Sequence, residues 1–413
     1  MKLLMQKIMN ICLVHEEYPL ETNFGGIATY QKNLAAGLHK LGHNVFVVCR
    51  SYVENQTYVE DGISIIRIFV EKTNDSYTDY VNYRKKVNHV LCSLEDKIDI
   101  IESPEWGAET LFYLQNKMRK KPIVVKLHTP LCIWLEHNRC GLAQGVTEPM
   151  LCWEKDVIEN AEKVISCSRM LSQKVAGQMN IQREDITIIP NPANLVDFYI
   201  NSEIKREYVL FCGSLEMRKG VNVLAKAIPI VQAILPETSW VFAGKDTTRN
   251  DKNISMKQYI YELIPEKYHN KLTFPGQIEN KKLNDIYAGA QVLVVPSSFD
   301  NFPYVVLEAM ASGTPIIGSE SSGITEMIEN EKSGILCDCK NEKILADKIV
   351  ELLLNKQKQK TYSDNALKRV SEEYSDIEVA RRNIEIYEHA IESFISKEKE
   401  SSIAFMDSFP ASL

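Results

Sequence analysis

Two carboxylates separated by seven residues, Asp300 and Glu308, lie in the stretch Leu-Val-Val-Pro-Ser-Ser-Phe-Asp-Asn-Phe-Pro-Tyr-Val-Val-Leu-Glu-Ala-Met-Ala that runs from Leu293 to Ala311. The apolar run 292–295 predicts a buried strand ending at Pro296. A polar loop carrying Asp300 follows, and a helix opens at Pro303, where proline's fixed φ and missing N–H do no harm. Glu308 falls inside that helix among apolar neighbours and requires hydrogen-bond donors, because burying a carboxylate unpaired is costly. The amides at the helix start, around Tyr304 and Val305, make an anion site. Such a constellation suits a ligand offering both phosphate and vicinal hydroxyls, and a nucleotide sugar is one. The purely structural alternative has Asp300 balancing the helix dipole and Glu308 as a core acid paired with a lysine.

Other loops add to this chemistry. Phe211-Cys-Gly-Ser-Leu-Glu-Met-Arg-Lys-Gly-Val221 reads as a strand, a glycine turn at Gly213-Ser214, and a cationic pair at a helix start. Lys219 there is a point charge for phosphate and Arg218 a fork. Gly25-Gly26 precedes a helix, so bare backbone can approach an anion; without G-x-G-x-x-G it is no dinucleotide fingerprint. His128 ends the strand-like run Ile-Val-Val-Lys-Leu-His, and His15 and Glu17 follow the first strand. Phe274-Pro-Gly-Gln-Ile278 is a further strand-end glycine turn.

Together these residues resemble the signature of retaining GT-B glycosyltransferases, specifically glycosyltransferase family four (glycosyl transferases group one). That signature has two acids separated by seven residues, Ala-Met-Ala, and a Gly-x-Pro strand, here Gly313-Thr-Pro315. The first acid is Asp300 where the family usually has Glu, and Ser214 stands where it has the arginine of Gly-Arg-Leu; Arg218 is the expected substitute. The resemblance implies that Glu308 binds the ribose diol, Asp300 the donor sugar's hydroxyls, and Lys219 with Arg218 the diphosphate beside Gly213 and Ser214. It implies that Ile278 offers backbone groups to the nucleobase and that Gly26 faces the diphosphate and acceptor. His128 then contacts the transferred sugar and steadies the reacting centre, and His15 and Glu17 line the acceptor side. It further implies retention of anomeric configuration, with the leaving diphosphate helping to deprotonate the acceptor, and neither a cofactor nor an essential metal.

These loops need a frame. Apolar strands alternate with amphipathic helices from end to end, the pattern of α/β domains with parallel sheets. In the first half, strands fall at 8–14, 44–49, 63–68, 99–101, 123–127, 163–167 and 186–189. Helices fall at 27–41, 80–94, 107–117, 151–161 and 170–178. The second half restarts at 208–212 and repeats strands at 241–243, 272–274, 292–295, 315–318 and 334–336. The expected organisation is a Rossmann-like acceptor domain over 1–190, a linker over 191–205 where Pro190 and Pro192 exclude regular structure, and a nucleotide-sugar domain over 206–375. A terminal helix over 376–396 returns to the first domain by resemblance, and 397–413 is a mobile tail. Two doubly wound domains imply ligands at the carboxyl edges of both sheets, facing a central cleft.

At 413 residues, 45% hydrophobic and 25% charged with net charge −7, the chain reads as a two-domain globular protein. It lacks the basic face of a nucleic-acid binder. No apolar stretch approaches the ~20 residues that span a bilayer, and Lys7 and Asn10 interrupt any signal-peptide core. The expected location is the cytoplasm, with peripheral membrane contact left open. Cys12, Cys49, Cys167 and Cys212 read as small buried hydrophobes. Cys132, His137, Cys140 and Cys152, and Cys337-x-Cys339, match no zinc spacing. Two alternatives remain at this stage: a nucleotide-sugar epimerase on the same scaffold, and a catalytically weakened nucleotide-sugar-binding protein. The acceptor, donor base and sugar (UDP-sugar favoured), linkage and oligomeric state are not encoded in any readable motif.

Overall fold

The computed structural model describes residues 7–19, 25–137, 145–181, 185–321 and 323–407, with side chains described to residue 397. The chain divides into two compact units, Met1–Pro192 with Asp376–Leu413, and Ala193–Ser375.

In the first unit an eight-stranded sheet has the order β3-β4-β2-β1-β5-β6-β7-β8. Its strands are β1 (Asn10–Val14), β2 (Asn44–Ser51), β3 (Gln56–Glu60), β4 (Ile63–Phe69), β5 (Ile100–Pro104), β6 (Ile123–Leu127), β7 (Lys163–Ser166) and β8 (Ile186–Ile188). Every pairing is parallel except β3 with β4. The central strands β5 and β6 are buried along their whole length, as a parallel sheet covered by helices on both faces requires. Those helices are α1 (Gly26–Lys40), α2 (Ser76–Leu94), α3 (Leu111–Gln115), α4 (Leu131–His137), α5 (Thr147–Asn160) and α6 (Arg169–Met179). The sequence reading has no β3, an exposed edge strand. Asp61 and Gly62, at φ +50° and +80°, close it onto β4 as a two-residue hairpin. The helix expected over 107–117 shrinks to α3, because Gly107 and Ala108 turn at φ +80° and +45°.

A terminal helix, Asp376–Asp407, packs on this unit. Gly37 of α1 permits the approach, since a Cβ there would lie 2.2 Å from the Asp376 carbonyl oxygen. Arg382 Nη2 donates to Ile188 O at 2.9 Å, and the Tyr387 hydroxyl donates to buried Glu102 at 2.7 Å. The helix continues past residue 396, where the sequence reading places a tail, because the Lys/Glu-rich run there contains no breaker.

In the second unit six parallel strands have the order β11-β10-β9-β12-β13-β14. They are β9 (Tyr208–Cys212), β10 (Ser239–Ala243), β11 (Leu272–Gly276), β12 (Ala290–Val295), β13 (Ile316–Ser319) and β14 (Ile335–Cys337). Helices α7 (Val221–Ile234), α8 (Met256–Leu263), α9 (Asn280–Ala288), α10 (Tyr304–Ala311), α11 (Ile324–Met327), α12 (Glu342–Leu354) and α13 (Lys356–Glu373) flank them. One core cluster joins Val209, Phe211, Leu224, Ile228, Trp240, Phe242, Val292 and Ile349. The segment read as a linker packs here: Ala193 N–H donates to Tyr374 O at 2.6 Å, and the Phe198 ring meets Tyr287 edge-on at 6.0 Å.

Each sheet reverses its strand order once, at β1/β5 and at β9/β12, and open α/β sheets bind ligands at the carboxyl side of such reversals. Among the described residues no helix is long and apolar enough to cross a membrane.

Candidate functional site

In the second unit the reversal lies where β9 leads into residues 213–220 and β12 into residues 296–303. Gly220, at φ +73°, fits only without a side chain: a Cβ there would lie 1.9 Å from Pro296 O. On the other side a Cβ at Gly323 would lie 1.7 Å from Asn301 O, and the Gly323 amide donates to Asp300 O at 2.8 Å. Two bare glycines thus clasp the 296–301 loop. They bring Lys219 Nζ into an ion pair with Asp300 Oδ2, side chains 20% and 15% exposed. Ser297 Oγ donates to the same oxygen at 3.2 Å. An arriving phosphate would compete with Asp300 for that ammonium.

Arg218 is placed differently from the expectation. Its Nη2 donates to Glu216 at 2.5 Å and its Nη1 to Phe299 O at 3.0 Å. Glu216, only 2% exposed, also accepts from Arg249 Nη1 at 2.7 Å. The fork expected on a phosphate is therefore engaged by protein, because a buried carboxylate two residues upstream needs compensating charge. Sequence reasoning missed Glu216 and Arg249; the signal available was an acid inside an otherwise cationic turn.

Pro303 is the N-cap of α10 and brings no side-chain cap, and the first turn, beginning Tyr304-Val305, holds no acid. A helix start of this kind favours an anion at its positive end. One turn later Glu308 accepts from the Tyr287 hydroxyl at 2.6 Å. Burial pushes its carboxyl up to about 7, with Tyr287 holding it back. Among the described residues no lysine or arginine pairs with Glu308, so the core-lysine alternative is not what the fold builds. Gly213, at φ +136°, and Ser214 form the turn after β9. Ile278 is half-buried in the turn between β11 and α9.

In the first unit the reversal gathers acids and histidines, with the buried cations Arg84 and Lys126 close by. His15, just after β1, sets Nδ1 3.2 Å from Glu109 Oε1, both side chains 3% exposed. Burial disfavours its charged form, yet Glu109 with nearby Glu16 and Glu17 outweighs this and lifts the imidazole above its ordinary value. Glu17 lies against Gly25, where a Cβ would meet its Oε2 at 2.5 Å, and Gly25 caps α1 so that Gly26 is its first residue. Burial raises the Glu17 carboxyl, and a hydrogen bond from the Gly25 backbone opposes it.

His128 is buried just beyond β6, edge-on to Tyr30 with ring centroids 4.8 Å apart. Burial first, then the charge of Lys126, depresses its imidazole well below the usual range and holds it neutral. Its backbone N–H donates to both oxygens of Glu105 at 2.9 Å. Beside it Glu154 accepts from Gly107 N at 3.2 Å and Leu131 N at 2.6 Å. Two buried acids thus fix the His128 turn through amides. The sequence reading names neither acid; Glu105 stands in Pro-Glu-Trp-Gly directly after a strand, which marks its place, whereas Glu154 lies in α5 with no such signal.

Cys12, Cys49 and Cys167 are buried, Cys212 half-buried. Cys140 lies outside the described residues, among which no His/Cys/Asp/Glu group is placed to hold a metal ion.

Comparison with known proteins agrees with this architecture. The family model for glycosyl transferases group 1 matches residues 197–369, and that for glycosyltransferase family 4 matches residues 24–196. An uncharacterised glycosyltransferase of Methanocaldococcus jannaschii is 27% identical, covering 93% of this chain and 99% of its own length. A glycogen synthase of Mycobacterium tuberculosis is 21% identical over 92% of this chain and 94% of its own. Among solved structures, sucrose-phosphate synthase from Thermosynechococcus elongatus superposes with a TM-score of 0.76 at 21% identity, covering 92% of this chain and 98% of that one. An Anabaena protein solved with UDP and glucose gives 0.69 at 17% identity, covering 92% and 99%. The chain belongs to the GT-B glycosyltransferases of the family-four type.

Proposed function

We propose that this glycosyltransferase is a retaining enzyme that moves a sugar from a nucleotide-diphosphate donor, a UDP-sugar, to an acceptor hydroxyl in glycan or glycoconjugate biosynthesis in the cytoplasm. One observation carries the reading: at the strand reversal of the second unit, an ammonium held by Asp300 stands at the turn before α7 while Glu308 has no cationic partner among the described residues. In this reading Lys219, the amides near Tyr304 and Val305, and the Gly213–Ser214 turn take the diphosphate. Arg218 serves that turn through Glu216. Glu308 accepts from the ribose hydroxyls, Asp300 from the sugar's, and Ile278 offers backbone groups to the base. Gly26 faces the diphosphate and the acceptor, His15 and Glu17 attend the acceptor side, and neutral His128 steadies the sugar. The UDP and glucose of the Anabaena structure favour a uridine donor.

Transfer breaks the bond between the anomeric carbon and the leaving phosphate oxygen and forms one to the acceptor oxygen on the same face. The acceptor proton passes to the departing diphosphate, so no separate base is required. Fixed cations and helix amides stabilise the charge building on that leaving group. The chain contains no Asp-x-Asp pair, and we assign no cofactor or essential metal to the step.

A thermal-shift panel of UDP, GDP and ADP and their sugars identifies the donor; proton NMR of fresh product then reads its anomer. The donor's configuration retained, with the rate unchanged by chelator, is the expected result. An inverted anomer, or activity lost to chelator and restored by magnesium or manganese, contradicts the mechanism. A sugar altered without acceptor indicates an epimerase; a melting shift without turnover indicates a binding protein.

A further inference from the structure

The loops leaving β9 and β10 hold five cations: Arg218 and Lys219 after β9, and Lys245, Arg249 and Lys252 after β10. Four of them pair with carboxylates, Arg218 and Arg249 with Glu216, Lys219 with Asp300 and Lys252 with Glu262. Lys245 is exposed and has no carboxylate partner among the described residues. Its neighbour Asp246 is committed elsewhere, accepting from Ser255 Oγ at 2.7 Å and Lys257 N at 3.1 Å at the start of α8.

The position of Lys245 is fixed by the sheet. In the parallel β9–β10 ladder Cys212 is opposite Ala243, and continuing that register by two residues sets Ser214 opposite Lys245. The ladder does continue: Gly213 N–H donates to Ala243 O and Leu215 N–H to Lys245 O, both at 2.9 Å. Between these bonds the facing glycines kink together, Gly213 at φ +136° and Gly244 at φ +148°. They approach so closely that a Cβ on Gly244 would lie 1.9 Å from Gly213 O. Directly opposed residues of neighbouring strands project to the same side of a sheet. The register therefore puts Lys245, which has no carboxylate partner among the described residues, opposite the small hydroxyl at 214.

We infer that Lys245, register partner of Ser214, is a second cation for the donor diphosphate, completing a site in which Lys219 is shared with Asp300 and Arg218 is bound to Glu216. The inference rests on the proposal that a nucleoside diphosphate occupies this edge of the second unit. A diphosphate carries more charge than one shared ammonium balances, and a flexible, unpaired lysine can reach it without first breaking an ion pair.

Calorimetric titration of the full chain with UDP and UMP tests this. Lys245→Ala is expected to weaken UDP about tenfold, as loss of a charge-assisted hydrogen bond does, and UMP markedly less. Raising the salt narrows the difference between variant and wild type. Adding Ser214→Arg to Lys245→Ala restores UDP affinity, because the cation returns to the facing position. If Lys219→Ala weakens UDP while Lys245→Ala binds it as wild type does, Lys245 is not part of the site and the proposed function survives. If wild type binds none of UDP, GDP and ADP, the functional reading fails and this inference with it.

Discussion

The two strand reversals are built alike and lined differently. At β1/β5 acids and histidines come forward, Glu109 beside His15, Glu105 beneath the His128 turn and an imidazole at His128 held neutral by burial, with the cations Arg84 and Lys126 packed close by. At β9/β12 lysine and arginine side chains come forward, Lys219 balanced by Asp300 and Arg218 with Arg249 by Glu216, beside a helix start with no side-chain cap. The same topology thus gathers acids and imidazoles at one edge and carboxylate-balanced cations at the other. If the proposed function holds, this difference divides the labour between the units, the first serving the acceptor and the second the donor.

The largest effect should come from splitting the Lys219–Asp300 pair in its two ways. Lys219→Ala removes a charge-assisted contact worth about 1.5–3 kcal/mol and leaves Asp300 facing the phosphates, so UDP should bind at least about tenfold more weakly. Asp300→Asn should do the opposite to bare UDP, binding it as well as or better than wild type while sugar transfer falls. If both variants weaken UDP alike, the pair is not a phosphate-exchangeable one. Next, Gly220→Ala places a methyl on the Pro296 carbonyl at a positive φ and should cost about 1–3 kcal/mol in chemical denaturation.

The pH dependence tests the Glu308 environment. Its folded carboxyl titrates at about 7, above its ordinary 4.5, so between those values the native state holds a proton that the unfolded chain has released. Stability contributed by this group is therefore lost as pH rises through that window, and Glu308→Gln should flatten the fall in Tm. Ribose-bearing ligands should bind the ionised form better, so affinity should climb with pH through about 7 in wild type and not in Glu308→Gln. The smallest effect belongs to the other unit. Tyr387→Phe removes one of two tyrosine donors to Glu102 and should cost about 1 kcal/mol of stability without altering UDP binding.

Much of this was legible in the residues, for physical reasons. The strand ending at Pro296 and the helix opening after Pro303 follow from proline chemistry and an apolar run, and Ala290–Val295 and Tyr304–Ala311 are found there. The edge strand β3 was illegible to an apolar-run reading because its residues are mostly exposed; its signal was the Asp61-Gly62 dipeptide instead. Sequence placed Lys219 and Asp300 at one site but could not show them paired, since that depends on Gly220 and Gly323 admitting backbone at close range. The pairing of Arg218 was illegible for a similar reason: its partner Glu216 is two residues away in sequence, but burial, which decides the pairing, is a tertiary property.

The division of labour is tested most directly by titrating UDP into the full chain and into single variants of each unit, His15→Ala, Glu109→Gln and His128→Ala in the first, Lys219→Ala and Glu308→Gln in the second. The account predicts that the three first-unit variants bind UDP within about twofold of wild type while both second-unit variants lose affinity, Lys219→Ala by about tenfold or more. Wild-type UDP affinity in both second-unit variants, or a loss in the first-unit variants as large as in Lys219→Ala, would contradict it.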